Sequence, residues 1–136
     1  MDIKELMLGD LVIHKGEPMK VVFLTDILEE CMRLAPLTGC FCTFDYTWAE
    51  LDQVEPLPIT TELLQKNGFL REDVEEDSFM MHTADRTVKL YGDNEGFDLR
   101  IFFNTASIDL ENIIGVHKLQ QALRMAGLGC IADFDV

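Results

Sequence analysis

The sequence predicts an α+β chain in two modules: a small N-terminal β-barrel over residues 1–58, then a small antiparallel sheet with two short helices over residues 59–136. Three observations carry this prediction. Residues 10–58 break into short apolar runs separated by turn residues, which is the pattern of small all-β modules. Residues 59–136 instead open and close with helical segments around further strand-like runs. At 136 residues and 48% hydrophobic content, the chain has enough apolar material for a core in one domain or in two small modules.

The elements of the first module follow in order. Leu11 to His14 is the first strand, turning at Lys15-Gly16-Glu17-Pro18 into a second over Met19–Thr25. Cys31–Ala35 is the third, closed by Pro36 and Gly39. From Cys40 onward, Cys40, Cys42, Phe44, Tyr46 and Trp48 alternate with Phe41, Thr43, Asp45 and Thr47, which predicts a fourth strand with its aromatic face buried. Ala49–Gln53 suits a single 3₁₀ turn, and Val54–Leu57 a last short strand. Five short strands with a helical turn before the last are the pattern of a small SH3-like barrel. Tyr46 and Trp48 are also a candidate aromatic recognition patch, since Trp and Tyr are favoured at binding hot spots.

The junction lies at Pro56-Leu57-Pro58, where two prolines without amide donors end the strand pattern. Thr60 is then a natural N-cap and Glu62 a first-turn carboxylate, while Gly68 and Phe69 fit the C′ and C″ positions of a Schellman ending. A helix over Thr61–Asn67 follows, with Leu63, Leu64 and Phe69 as the apolar residues that dock it. The charge run from Leu70 to Asp77 reads as a solvated loop. Phe79–Thr83, Thr87–Tyr91 and Phe97–Phe103 are three strands with one apolar and one mixed polar face. Leu110, Ile113 and Ile114 fall on the opposite helical face from Val116, Leu119 and Leu123, so the second helix is placed over Val116–Ala126 after an irregular or extended stretch. It ends on Gly127 and Leu128 as the first ends on Gly68 and Phe69. The alternation of Cys130, Ala132, Phe134 and Val136 predicts a closing strand.

Charge and motif content narrow the function classes. Lys and Arg total 11 against 25 Asp and Glu, a formal charge of −14 that repels phosphate backbones and anionic headgroups. Nucleic-acid and membrane partners are therefore disfavoured and a protein partner is expected. The first residues lack the basic flank and apolar run of a signal peptide, so the expected location is cytoplasmic and the four cysteines are expected as thiols. Cys40-Phe41-Cys42 has no second closely spaced Cys or Cys/His pair, and His14, His82 and His117 are scattered, so no metal is assigned. Without a Gly-rich phosphate loop or a nucleophile set, no catalytic or cofactor-binding residue and no cofactor is assigned.

Three residue sets retain chemical interest. Lys89, Arg100 and His82 on the polar side of the second sheet form a candidate site for an anion or an acidic partner; the alternative is routine cross-strand pairing with neighbours such as Asp98. Tyr46 and Trp48 are the aromatic pair. Histidine is the side chain whose unperturbed charge change falls near neutrality, so His117 is a candidate functional histidine, against the alternative of a helix-start residue bonded to a backbone group.

Leu8-Gly9-Asp10-Leu11-Val12, Pro56-Leu57-Pro58-Ile59-Thr60 with Leu63-Leu64 and Gly68-Phe69, and Val116-His117-Lys118-Leu119-Gln120 together resemble a family of small, functionally unassigned proteins from Bacteroidales-type gut bacteria and their phages or mobile elements. The resemblance spans nearly the whole chain. It departs where the family usually continues with aromatic residues, here Gln121-Ala122-Leu123-Arg124-Met125. It implies organisation and no activity. The expected function is thus a non-enzymatic binding or adaptor protein. One alternative is an acidic phage-type inhibitor that mimics nucleic acid, its charge split evenly as −7 over residues 1–58 (4 basic, 11 acidic) and −7 over residues 59–136 (7 basic, 14 acidic). The other is a small hydrolase or transferase using His117 with a thiol such as Cys130.

Overall fold

The computed structural model describes residues 6–24, 31–37, 47–73, 78–93 and 96–136. The chain divides into two compact units, Met1–Leu57 with Val136, and Pro58–Asp135.

In the first unit, β1 (Leu11–His14), β2 (Glu17–Leu24), β3 (Cys31–Pro36), β4 (Thr47–Glu50) and β5 (Val54–Pro56) form an antiparallel sheet in the order β4-β3-β2-β1-β5, curled into a half-barrel. The β1–β2 hairpin turns through Lys15 (φ 51) and Gly16 (φ 78), the two positive dihedrals of a type I′ connection that matches strand twist. Alternate side chains converge inside the curl: Val12, Val21, Met32 and Leu34 are fully enclosed, with Leu6, Met19, Ala49 and Val54 around them. Each such side chain contributes about 1.5–3 kcal/mol by leaving water.

The Leu8-Gly9-Asp10 segment extends this sheet. Gly9 N donates to Val21 O at 2.8 Å and Val21 N to Asp10 O at 2.9 Å. Asp10 is fully buried, and its carboxylate accepts from Met7 N at 2.8 Å, closing the turn that leads into β1. Pro56 lies at the end of an edge strand, paired with Val12, where a missing N–H costs no central ladder bond.

The strand expected from Cys40 to Trp48 lies outside the described residues except at its end, and there the predicted burial is overturned. Trp48 is 54% exposed and Ala49 is the buried residue, because β4 pairs Met32 with Ala49 and so turns Ala49, not Trp48, toward the core. The 3₁₀ turn is confined to Leu51–Gln53.

The second unit is a five-stranded antiparallel sheet in the order β10-β9-β8-β7-β6, with α1 (Thr61–Lys66) and α2 (Val116–Met125). Its strands are β6 (Leu70–Asp73), β7 (Ser78–His82), β8 (Thr87–Asp93), β9 (Gly96–Phe102) and β10 (Ser107–Ile113). Both helix endings are as the sequence requires. Thr60 Oγ1 accepts from Leu63 N at 3.1 Å, and Phe69 N and Gly68 N close back on Leu64 O and Gln65 O. Leu128 N and Gly127 N do the same on Leu123 O and Arg124 O. Phe79, Val88, Leu90, Phe97, Leu99 and Ile101 make the buried face of the sheet, and Val116, Leu119, Ala122 and Leu123 that of α2.

Two expectations are overturned in this unit and one holds. Leu70–Asp73, expected as loop, is edge strand β6; a charged stretch is tolerated there because an edge strand keeps much of its surface in water, and Leu70 itself is 71% exposed. The extended stretch before α2 is a full edge strand, β10, with a bulge between Leu110 and Ile113 at Asn112 (φ 57). The closing strand is absent: Gly129–Ile131 is a 3₁₀ turn, and the segment after it is held by side chains. Gln120 Nε2 donates to Ala132 O at 2.9 Å, and Phe134 stacks on Phe69 at 6.5 Å between ring centroids. Ala132 and Phe134 are buried, so the apolar alternation is real but satisfied without a ladder.

Candidate functional site

Strand register decides what the second sheet presents on its other face. Lys89 is directly opposite Arg100, and Arg100 directly opposite Asp109; Tyr91 is opposite both Ser78 and Asp98. Residues opposite one another in antiparallel strands leave the sheet on the same side, with Cβ atoms about 4.5–5.5 Å apart. The result is a charge row across β6, β8, β9 and β10. Glu72 Oε1 meets Lys89 Nζ at 3.5 Å, and Asp109 Oδ1 meets Arg100 Nε at 2.6 Å with a second contact from Nη2 to Oδ2 at 3.3 Å. Read across the sheet, the signs are minus, plus, plus, minus.

An open cleft of about 510 Å³ lies over the middle of this row, lined by Glu72, Ser78, Lys89, Tyr91, Arg100 and Phe102. Ser78 Oγ donates to Glu72 Oε2 at 2.8 Å and holds that carboxylate at the rim. Arg100 stands over the Phe102 ring at 5.9 Å, a distance at which cation and ring still attract. The hydrogen bond that Arg100 donates to Asp109, and then the charge of that carboxylate, raise the Arg100 pKa above the ordinary arginine value. Gly92 also borders the cleft at φ 142, where a Cβ would sit 2.5 Å from Gly96 O, so Gly92 and Gly96 approach this closely only because no side chain intervenes.

The predicted site residues fall in different places. Lys89 and Arg100 come together in the cleft. His82 sits on the same face at the far end of β7, where its Nδ1 is 3.1 Å from Thr87 Oγ1, and it does not line the cleft. Each cation has an acidic neighbour, but the neighbours are Glu72 and Asp109; Asp98 instead accepts from Asn112 N at 3.4 Å. Trp48 is exposed with the Arg33 guanidinium 5.0 Å above its ring, and Tyr46 lies outside the described residues. His117 is 2% exposed in the first turn of α2, while Cys130 is exposed in the following 3₁₀ turn.

Sequence reading did not assign Glu72, Ser78, Tyr91, Phe102 or Asp109 to the site. Tyr91 and Phe102 were visible as same-face neighbours of Lys89 and Arg100, whereas Glu72 and Asp109 belong to the two edge strands that the sequence left unassigned. Among the described residues no group of three or more His, Cys, Asp and Glu is placed to hold a metal ion, and no helix is long and apolar enough to cross a membrane. No protein-family model, curated protein or solved structure matches the chain.

Proposed function

We propose that the chain is a non-enzymatic binding or adaptor protein that engages a protein partner through the open face of its second sheet. The observation that carries this reading is the cleft over β8 and β9, where the half-exposed Lys89 and Arg100 stand beside Tyr91 and Phe102 on a sheet whose other face is buried. Arg and Tyr are residue types enriched where partners bind, and a sheet face is a rigid platform for them. A nucleic-acid mimic asks for carboxylates in an unbroken run, and here two cations interrupt them.

Capture from the native host followed by mass spectrometry tests the proposal. A specific protein recovered by the wild-type chain and lost with the Lys89→Glu/Arg100→Glu double variant supports it. No specific recovery, or equal recovery by both, overturns it.

A further inference from the structure

The two central charges of the row are of the same sign. Like charges directly opposite one another in a sheet are destabilising, yet Lys89 and Arg100 occupy such a pair on β8 and β9. Their carboxylate neighbours lie on the outer sides, Glu72 toward one sheet edge and Asp109 toward the other, so the space between the cations is left to the cleft. Asp109 engages two of the N–H groups of Arg100, and a guanidinium has five, so donors remain for a second acceptor.

We infer that this cleft is a carboxylate-binding site. One carboxylate lies between Lys89 and Arg100, relieves their repulsion and accepts charge-assisted hydrogen bonds from both, while Tyr91 and Phe102 meet the carbon skeleton that bears it. Glu72 and Asp109 set the selectivity. A single carboxylate spans only the central pair, whereas a run of phosphates would meet the flanking acids and be rejected. The inference rests on the open face being the docking face, and it names the group a partner would insert there. The same chemistry is offered by an acidic side chain of a protein or by a free small organic acid.

Two probes separate these sources: N-acetylglutamate N-methylamide, which imitates a side chain in a peptide, and succinate. Each is titrated into the full chain and followed by ¹H–¹⁵N correlation spectra. Saturable shifts confined to amides around Lys89, Tyr91, Arg100 and Phe102 are expected. The corresponding glutamine amide should give none. Lys89→Met and Arg100→Met, which keep the alkyl stems, should each weaken binding about tenfold. Glu72→Gln, which removes a competing carboxylate, should tighten it about threefold; a purely structural ion pair would give no gain. Tighter binding of the glutamate probe marks a protein side chain as the source, and tighter binding of succinate a free acid.

Equal response to the glutamine amide, or no saturable shift in either the wild type or Glu72→Gln, overturns the inference. If the probes fail while capture of a partner still depends on Lys89 and Arg100, the carboxylate site falls and the adaptor reading stands. If the probes bind and no partner is captured, the reverse holds.

Discussion

Asn67 and Asp135 exchange two hydrogen bonds although 68 positions separate them: Asn67 Nδ2 donates to Asp135 O at 2.8 Å, and Asp135 N donates to Asn67 Oδ1 at 2.7 Å. A side-chain amide here imitates a residue of a neighbouring strand, offering one donor and one acceptor in the spacing of a backbone pair. The same Nδ2 also donates to Leu63 O at 2.8 Å, so Asn67 joins the end of α1 to the last segment of the unit. Replacing Asn67 by Ala removes all three bonds while leaving the Schellman ending at Gly68 and Phe69 intact. The contacts are partly solvated, and a net loss of about 1–2 kcal/mol is expected by urea denaturation. Hydrogen exchange at the Asp135 amide should quicken while exchange in β8 and β9 follows only the global change. Unaltered exchange at Asp135 would show that the tail is held by Phe134 and Gln120 alone.

Arg86, in the β7–β8 turn, holds the other end of the same unit. Its Nη1 donates to Ala126 O at 2.5 Å, at the C-terminus of α2, and its guanidinium stands 4.9 Å from the Phe103 ring. A cation at a helix C-terminus gains from the helix dipole, and a partly buried one gains more. Arg86→Ala should cost about 1–3 kcal/mol, with Arg86→Lys recovering part of it. Gly127 provides a sharper test. At φ 77 it adopts the left-handed conformation, and a Cβ there would stand 3.0 Å from Arg86 Nη1. Gly127→Ala should therefore destabilise by about 1–2 kcal/mol, and by less in the Arg86→Ala background, where the steric share is gone. Strict additivity in this double-mutant cycle would refute the coupling.

The contrast between these two anchors and the cleft explains what could be read in advance. Caps and stops are local: Thr60, Gly68 and Gly127 act on residues within one helical turn, and their roles were legible from spacing. The row of Lys89 and Arg100 was legible in part, because period-two alternation assigns both to one face. Their acidic neighbours were not, since Glu72 sits within a charge run that resembles a loop and Asp109 in a stretch whose pairing depends on β9. The tail at Ala132–Asp135 shows the same limit. Apolar alternation specifies burial, and it does not specify whether a ladder or two side-chain amides satisfy the backbone.

Trp48 provides the last prediction, because its alternation with the aromatics before it pointed inward and its pairing points outward. It is the sole tryptophan of the chain, 54% exposed, with Arg33 5.0 Å above its ring. An indole in this position is largely hydrated in the folded state. The native emission maximum should therefore lie close to that of the unfolded chain, with ready quenching by acrylamide, and unfolding should shift it little. Trp48→Ala should cost less than about 1 kcal/mol, the size of one exposed cation–ring contact, in place of the 3–5 kcal/mol of a core aromatic. A strongly blue-shifted native spectrum, or a loss of stability in the core range, would return Trp48 to the interior of the half-barrel and remove it from the set of surface aromatics available to a partner.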